Sequence, residues 1–136
     1  MTTVTDLQWK QIVVGGIAPH VVSTGLLIVA IVAYTLLLAF GTGGEPDPDA
    51  LQQFNAVSGT QIHPAVTVLL TVVAAGWVAR RADPDTAMLH GVAVGTLAGL
   101  VGLAFGALDA VMFVRFLFTV GAGVLGARLS PDVLGD

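Results

Sequence analysis

The sequence predicts an all-α membrane protein, a four-helix transmembrane bundle running up-down-up-down with both termini in the cytoplasm. Three observations carry this. Between positions 86 and 129 the only charged residues are Asp109, Arg115 and Arg128, a length about twice the ~20 residues a helix needs to cross a bilayer core. Two further apolar runs lie upstream, at 11–40 and 63–81, and a soluble domain of this size has too little polar surface to cover all of them. The whole chain is 55% hydrophobic and only 10% charged, with a mean hydropathy of +0.89, where soluble domains carry about 25% charged residues.

At 136 residues the chain makes a single domain, 1–136. Its first ten residues, MTTVTDLQWK, place Trp9 and Lys10 as an interfacial anchor before the first span. That span, 11–40, is too long for the apolar region of a signal peptide and has no convincing cleavage site, so it is expected to be a retained helix. At ~1.5 Å per residue it measures ~45 Å, more than the ~30 Å hydrocarbon core, and it must tilt, project or break. Pro19, preceded by Gly15 and Gly16, offers the break, because its ring clashes with the carbonyl four residues back and removes a hydrogen bond.

The next stretch, 41–61, is expected to be an acidic extracytoplasmic loop, with Gly and Pro and the acids Glu45, Asp47 and Asp49 stopping the first helix. Its middle, 48–57, is either a short helix along the membrane surface, with Leu51, Phe54 and Val57 spaced by three, or an unstructured connector. The second span, 63–81, opens on His63 and Pro64 and closes on Arg80 and Arg81. Asp83 is placed to cap the third span, 84–108, with Pro84 at its first position and Asp85 near its positive end. Asp109 marks a tight turn, and the fourth span, 110–129, stops at Ser130 and Pro131.

Flanking charge sets the orientation. If four spans alternate, Lys10, Arg80, Arg81 and Arg128 share one side, and Glu45, Asp47, Asp49 and Asp109 the other. Basic residues stay cytoplasmic, which puts both ends inside and the acidic loop outside.

The third span reads HGVAVGTLAGLVGLAFGALD. Gly91, Gly95 and Gly99 recur every four residues, and Gly102 and Gly106 repeat the interval. Residues four apart share a helix face, so these glycines form a groove along which a second backbone can approach closely. In an antiparallel hairpin the end of the fourth span lies beside the start of the third, and Gly91 and Gly95 are expected to face Ala122 or Gly126. The groove serves either packing within one chain or contact between copies; four spans offer more small-residue surface than one hairpin uses.

Arg115 lies ~8 Å along the fourth helix from the outer boundary. It either snorkels to the interface or faces the bundle, paired with Asp109 or with Asp49 in the acidic loop, and unpaired it would favour an anion. His20 and His90 are both expected near the cytoplasmic ends of their helices, with His63 at the outer end of the second. Two histidines at one depth are a candidate for a shared proton, and His20 adjoins the carbonyls that Pro19 frees. A metal wants three or four ligands and no carboxylate lies at mid-membrane, so hydrogen bonding between helices is the better account and no metal or cofactor is expected.

Other chemistries are disfavoured. The chain has no cysteine, which removes disulfides and thiol catalysis. Lys10 is the only lysine and the net charge is -4, against the basic surface that nucleic acid requires. No HExxH, nucleophile elbow or dinucleotide fingerprint occurs, and GTGG at 41–44 lacks the continuation of a phosphate loop. No enzyme is expected.

With LQWKQIVVGGIA at its start and LHGVAVGTLAGLVG in the third span, the chain resembles small prokaryotic membrane proteins of four predicted helices, a group with no established activity. The resemblance implies a helical bundle and carries no catalytic residue across. The asparagine-bearing pore motif of small fluoride channels has no counterpart here. The expectation is a structural or accessory protein of the cell membrane that acts through helix packing, with lipid and either further copies or another membrane protein as partners. A small channel or transporter subunit, whose pathway forms in an oligomer with Arg115 at its entrance, is the alternative.

Overall fold

A computed structural model of the chain describes residues 7–105 and 108–130, and every regular element among them is helical. The elements are α1 (Trp9–Thr42), α2 (Pro48–Val57), a π-helical segment (Ser58–Ile62), α3 (His63–Ala79), α4 (Pro84–Ala104) and α5 (Ala110–Arg128). Four helical runs are long and apolar enough to cross a membrane: Trp9–Thr42, Pro48–Ala79, Pro84–Ala104 and Ala110–Arg128.

The first helix does not break. α1 runs uninterrupted through Pro19 for 34 residues, ~51 Å at the usual rise. Pro19 is buried, with Gly15 and Gly16 one turn earlier pressed against α3 and α4. A Cβ at Gly15 would lie 2.9 Å from Val78 Cγ2, and one at Gly16 would lie 2.8 Å from the Leu97 side chain. The two glycines therefore let α1 pack closely rather than loosening it. At its far end α1 stops where Gly43 and Gly44 take φ of 79° and 135°, conformations open to glycine, and both amides turn back to the Ala39 carbonyl.

The greatest departure from expectation lies in 41–61. Of the two alternatives for 48–57 the helix forms, over Pro48–Val57, but no loop separates it from the second span. Asp47 caps α2 by accepting the Asp49 amide at 3.0 Å, with Pro48 at the first position, and the helix then continues through the π segment into α3. The result is one run of 32 residues, Pro48–Ala79. Pro64 thus sits inside a helix rather than at its start. It has no amide for the carbonyl four residues back, that of Thr60, and the local widening to π geometry falls on that turn. Of the apolar triplet, Leu51 and Phe54 are half-buried and Val57 is exposed. Phe54 stacks on Tyr34 of α1 with ring centroids 4.1 Å apart.

α4 starts at Pro84 without using the Asp83 carboxylate. Instead the Asp83 carbonyl accepts the Thr86 amide at 2.8 Å and the Thr86 hydroxyl at 3.0 Å. α5 is capped as a turn residue allows, the Asp109 carboxylate accepting the Met112 amide at 2.8 Å. α4 ends at Ala104, short of 108, and Gly106 lies outside the described residues.

α4 and α5 run in opposite senses with their backbones nearly touching. Gly91 and Gly95 face Gly123 and Ala127, one position further round α5 than the expected Ala122 and Gly126. A Cβ at Gly95 would lie 2.9 Å from the Thr119 and Val120 carbonyl oxygens. Gly126 serves a different neighbour: it abuts the Val72 carbonyl and Gly76 of α3. Gly99 accepts the Phe116 ring, and Gly102 sits beside the His20 ring rather than a helix backbone. The fully packed core lies where the helices meet near the two termini: Leu7, Ile12, Ala75, Val78 and Val94 in one group, Ala79, Ala87 and Ala127 in another. Beyond Thr24 no residue of α1 is buried.

Candidate functional site

Polar groups in an apolar bundle must find partners, because lipid offers none. Three clusters do so here. They stand at three places along the helices, and together they hold His20, His63, His90 and Arg115.

The first joins the N-terminal entry to α4. His90 is 0% exposed. Its Nδ1–H donates to the Thr86 carbonyl one turn earlier at 2.9 Å, a carbonyl being able only to accept, and its Nε2 accepts the Gln8 backbone amide at 2.9 Å. Both ring nitrogens are committed, which fixes a neutral tautomer. The Gln8 side chain reaches on to the Arg81 carbonyl at 3.1 Å, so one glutamine ties the start of α1 to α4 and to the α3–α4 turn. Next to it the Arg81 guanidinium lies 4.1 Å above the Trp77 ring, a cation–π contact at the helix end. Trp9 and Lys10 are exposed there, as an interfacial anchor would be.

The second cluster lies between α1, α3 and α4. His20 Nε2–H donates to the Ala98 carbonyl at 2.8 Å, and Gly102 lies beside the ring, where a Cβ would make ordinary contact at 3.5 Å from His20 Cε1. The Ser23 hydroxyl donates to the His20 carbonyl at 3.2 Å and accepts from Thr67 Oγ1 at 2.8 Å. Its remaining lone pair receives His63 Nε2–H at 3.1 Å, with Thr24 Oγ1 at 3.3 Å from the same nitrogen. Thr71 closes the row by donating to the Thr67 carbonyl at 2.8 Å. Ser23, Thr67 and Thr71 are buried. His20 therefore belongs with His63. His90 lies eight residues before Ala98 on α4, ~12 Å along the axis, and the expected pairing of His20 with His90 is not formed.

The third cluster is centred on Arg115. Its guanidinium donates to the Thr60 carbonyl at 2.6 Å and approaches Met112 Sδ at 3.7 Å. Among the described residues it makes no ion pair with Asp109 or Asp49; the Asp109 carboxylate is occupied by the α5 cap. The partner is the carbonyl that Pro64 leaves without its helical amide, so the proline on α3 and the arginine on α5 answer one another. Sequence reasoning missed this pair, together with Gln8, Ser23 paired to His63, and Gly76. For Pro64 a signal existed, since a proline inside an apolar run frees a carbonyl four residues before it. For Gln8 there was none, as nothing local distinguishes a glutamine that bridges two turns.

Among the described residues no three His, Asp or Glu side chains converge. Nor do the clusters join. The hydroxyl row ends at Thr71, and the tightly packed apolar group of Ile12, Ala75, Val78 and Val94 lies beyond it. An open groove between α1 and α3, edged by Val14, Ala18, Val22, Leu70, Val73 and Trp77, is almost wholly apolar. Chemically the three clusters can hold helices in register, through the bonds of His90 to Gln8, His20 to Ala98, Ser23 to His63 and Thr67, and Arg115 to Thr60. Compared with family models, curated proteins and solved structures, this chain matches none.

Proposed function

We propose that this chain is a structural or accessory protein of the cell membrane, with four spans alternating up-down-up-down and both termini in the cytoplasm, acting through helix packing rather than catalysis. The observation that carries the proposal is the backbone-to-backbone seam of α4 and α5, where Gly91, Gly95 and Gly123 leave no room for any side chain. Apolar packing gives no net gain when side chains leave lipid, so such seams, with interhelical hydrogen bonds, are what assembles a bundle there. The polar clusters support the same reading, because His90, His63 and Arg115 each place one hydrogen bond on another helix or on the N-terminal entry. Lys10, Arg80, Arg81 and Arg128 against Glu45, Asp47 and Asp49 support the orientation.

The test is purified protein in liposomes, assayed for anion and proton flux beside Arg115→Ala. Flux at the level of empty liposomes for both is expected. Flux that the wild type supports and Arg115→Ala abolishes would sink the packing role and establish a channel or transporter subunit instead.

A further inference from the structure

The outer part of the molecule has two faces that no single solvent satisfies. After Thr24, α1 continues for 18 residues to Thr42, ~27 Å, with Leu26, Ile28, Val29, Val32, Leu36, Leu37 and Phe40 all more than half exposed. No charged residue occurs between Lys10 and Glu45, so this length of α1 belongs in lipid. Beside it runs α2 with the π segment, and their exposed face is mostly polar. Gln52, Gln53, Asn55, Thr60 and Gln61 are all exposed, with Val57 and Ile62 as its large apolar members, while Phe54 stacks on Tyr34 of α1. Lipid that solvates α1 leaves the carboxamides of α2 without partners; water that solvates α2 strands α1.

We propose that the α2 face is covered by the same face of a second copy of this chain, packed about a two-fold axis. The proposal rests on the membrane reading above. Four observations choose this occupant. Carboxamides are at once donors and acceptors, so a Gln and Asn face is complementary to itself. Residues 50–62 contain no charged side chain, and two copies do not repel along the contact. Ala56 and Gly59 lie among the amides on that face, and a Cβ added at Gly59 would meet nothing within 4 Å, unlike the filled grooves at Gly91 and Gly95. The glycines of the α4–α5 seam are already occupied within the chain, whereas the α2 face carries exposed amides. In the assembled pair α1 faces lipid, and the amides of α2 pair across the axis.

The chain has no cysteine, so single cysteines report contacts without background. Gln52→Cys, Gln53→Cys, Leu36→Cys and Leu37→Cys are each placed in lipid vesicles and oxidised with copper phenanthroline. Cross-linked product at twice the 13.9 kDa chain mass is expected for the two α2 positions and not for the two α1 positions. Adding Gly59→Leu should lower the yield at Gln52→Cys by about fivefold or more, since it forces the backbones apart. The proposal is overturned by stronger cross-linking at Leu37→Cys, by product whose mass is not a multiple of the chain, or by α2 cysteines that react with aqueous maleimide and never cross-link. Carbonate extraction and external labelling of Asp49→Cys run alongside. If those place the protein in the membrane with the loop outside while α2 fails to cross-link, this interface is wrong and the membrane reading stands; release by carbonate ends both.

Discussion

At the scale of single residues, Arg115 shows how a backbone carbonyl left without its helical donor is satisfied. Pro64 withholds an amide from the Thr60 carbonyl, and the Arg115 guanidinium supplies the missing donor at 2.6 Å. Arg115→Ala is expected to destabilise the detergent-solubilised protein by about 1–2 kcal/mol, the range of a charge-assisted bond in a bundle. Pro64→Ala offers that carbonyl an amide of its own, so the cost of Arg115→Ala should shrink in the Pro64→Ala background. Thermal unfolding of the four proteins in the cycle reads the coupling; strictly additive effects would mean the two residues do not share the carbonyl. Gly102 makes a second case. Gly102→Val should push the His20 ring from the Ala98 carbonyl, visible as a changed His20 imidazole resonance, while Gly121→Val, where an added Cβ meets nothing, should leave it unmoved. Arg115 itself stands out in the sequence as a lone charge in an apolar helix, but its partner does not, because a backbone carbonyl carries no residue-type signature.

Elements differ in how they use glycine. The recurrence at 91, 95 and 99 announces a small-residue face on α4, and α5 lies along it. Gly95→Leu would drive a branched side chain into the Thr119 and Val120 carbonyls and is expected to cost about 3 kcal/mol or prevent folding. By contrast, Gly25→Ala on the unpacked part of α1 should stabilise the protein by about 0.5–1 kcal/mol, because an added Cβ meets nothing and alanine loses less backbone freedom. Equal loss of melting temperature in both variants would contradict this division of α1 and α4. The extent of α2–α3 was the element least visible beforehand. Gly, Pro and acidic residues mark 41–49 as a break, and His63-Pro64 resembles a helix start. The intervening polar run joins the two because proline excludes only one hydrogen bond, and a π turn together with Arg115 absorbs that loss.

For the whole molecule, the flanking charges make a prediction independent of packing. Replacing Glu45, Asp47 and Asp49 together by lysine opposes the bias that holds this loop outside. External maleimide labelling of a cysteine at residue 50 is expected to fall sharply in that variant and to persist in the parent; undiminished labelling would show that helix length, not charge, sets the orientation. Composition, hydropathy and the spacing of apolar runs determined on their own that four helices are long and apolar enough to cross a membrane, because partition into lipid depends on summed side-chain chemistry and needs no contacts. Only the tertiary structure decided that His20 belongs with His63 and not His90, that Gly126 meets α3, and that Arg115 holds a carbonyl rather than a carboxylate. Those choices depend on how far each helix is rotated and shifted against its neighbours. Rotation of one residue turns a helix by ~100°, which hydropathy does not register and a hydrogen bond of 2.6–3.1 Å does.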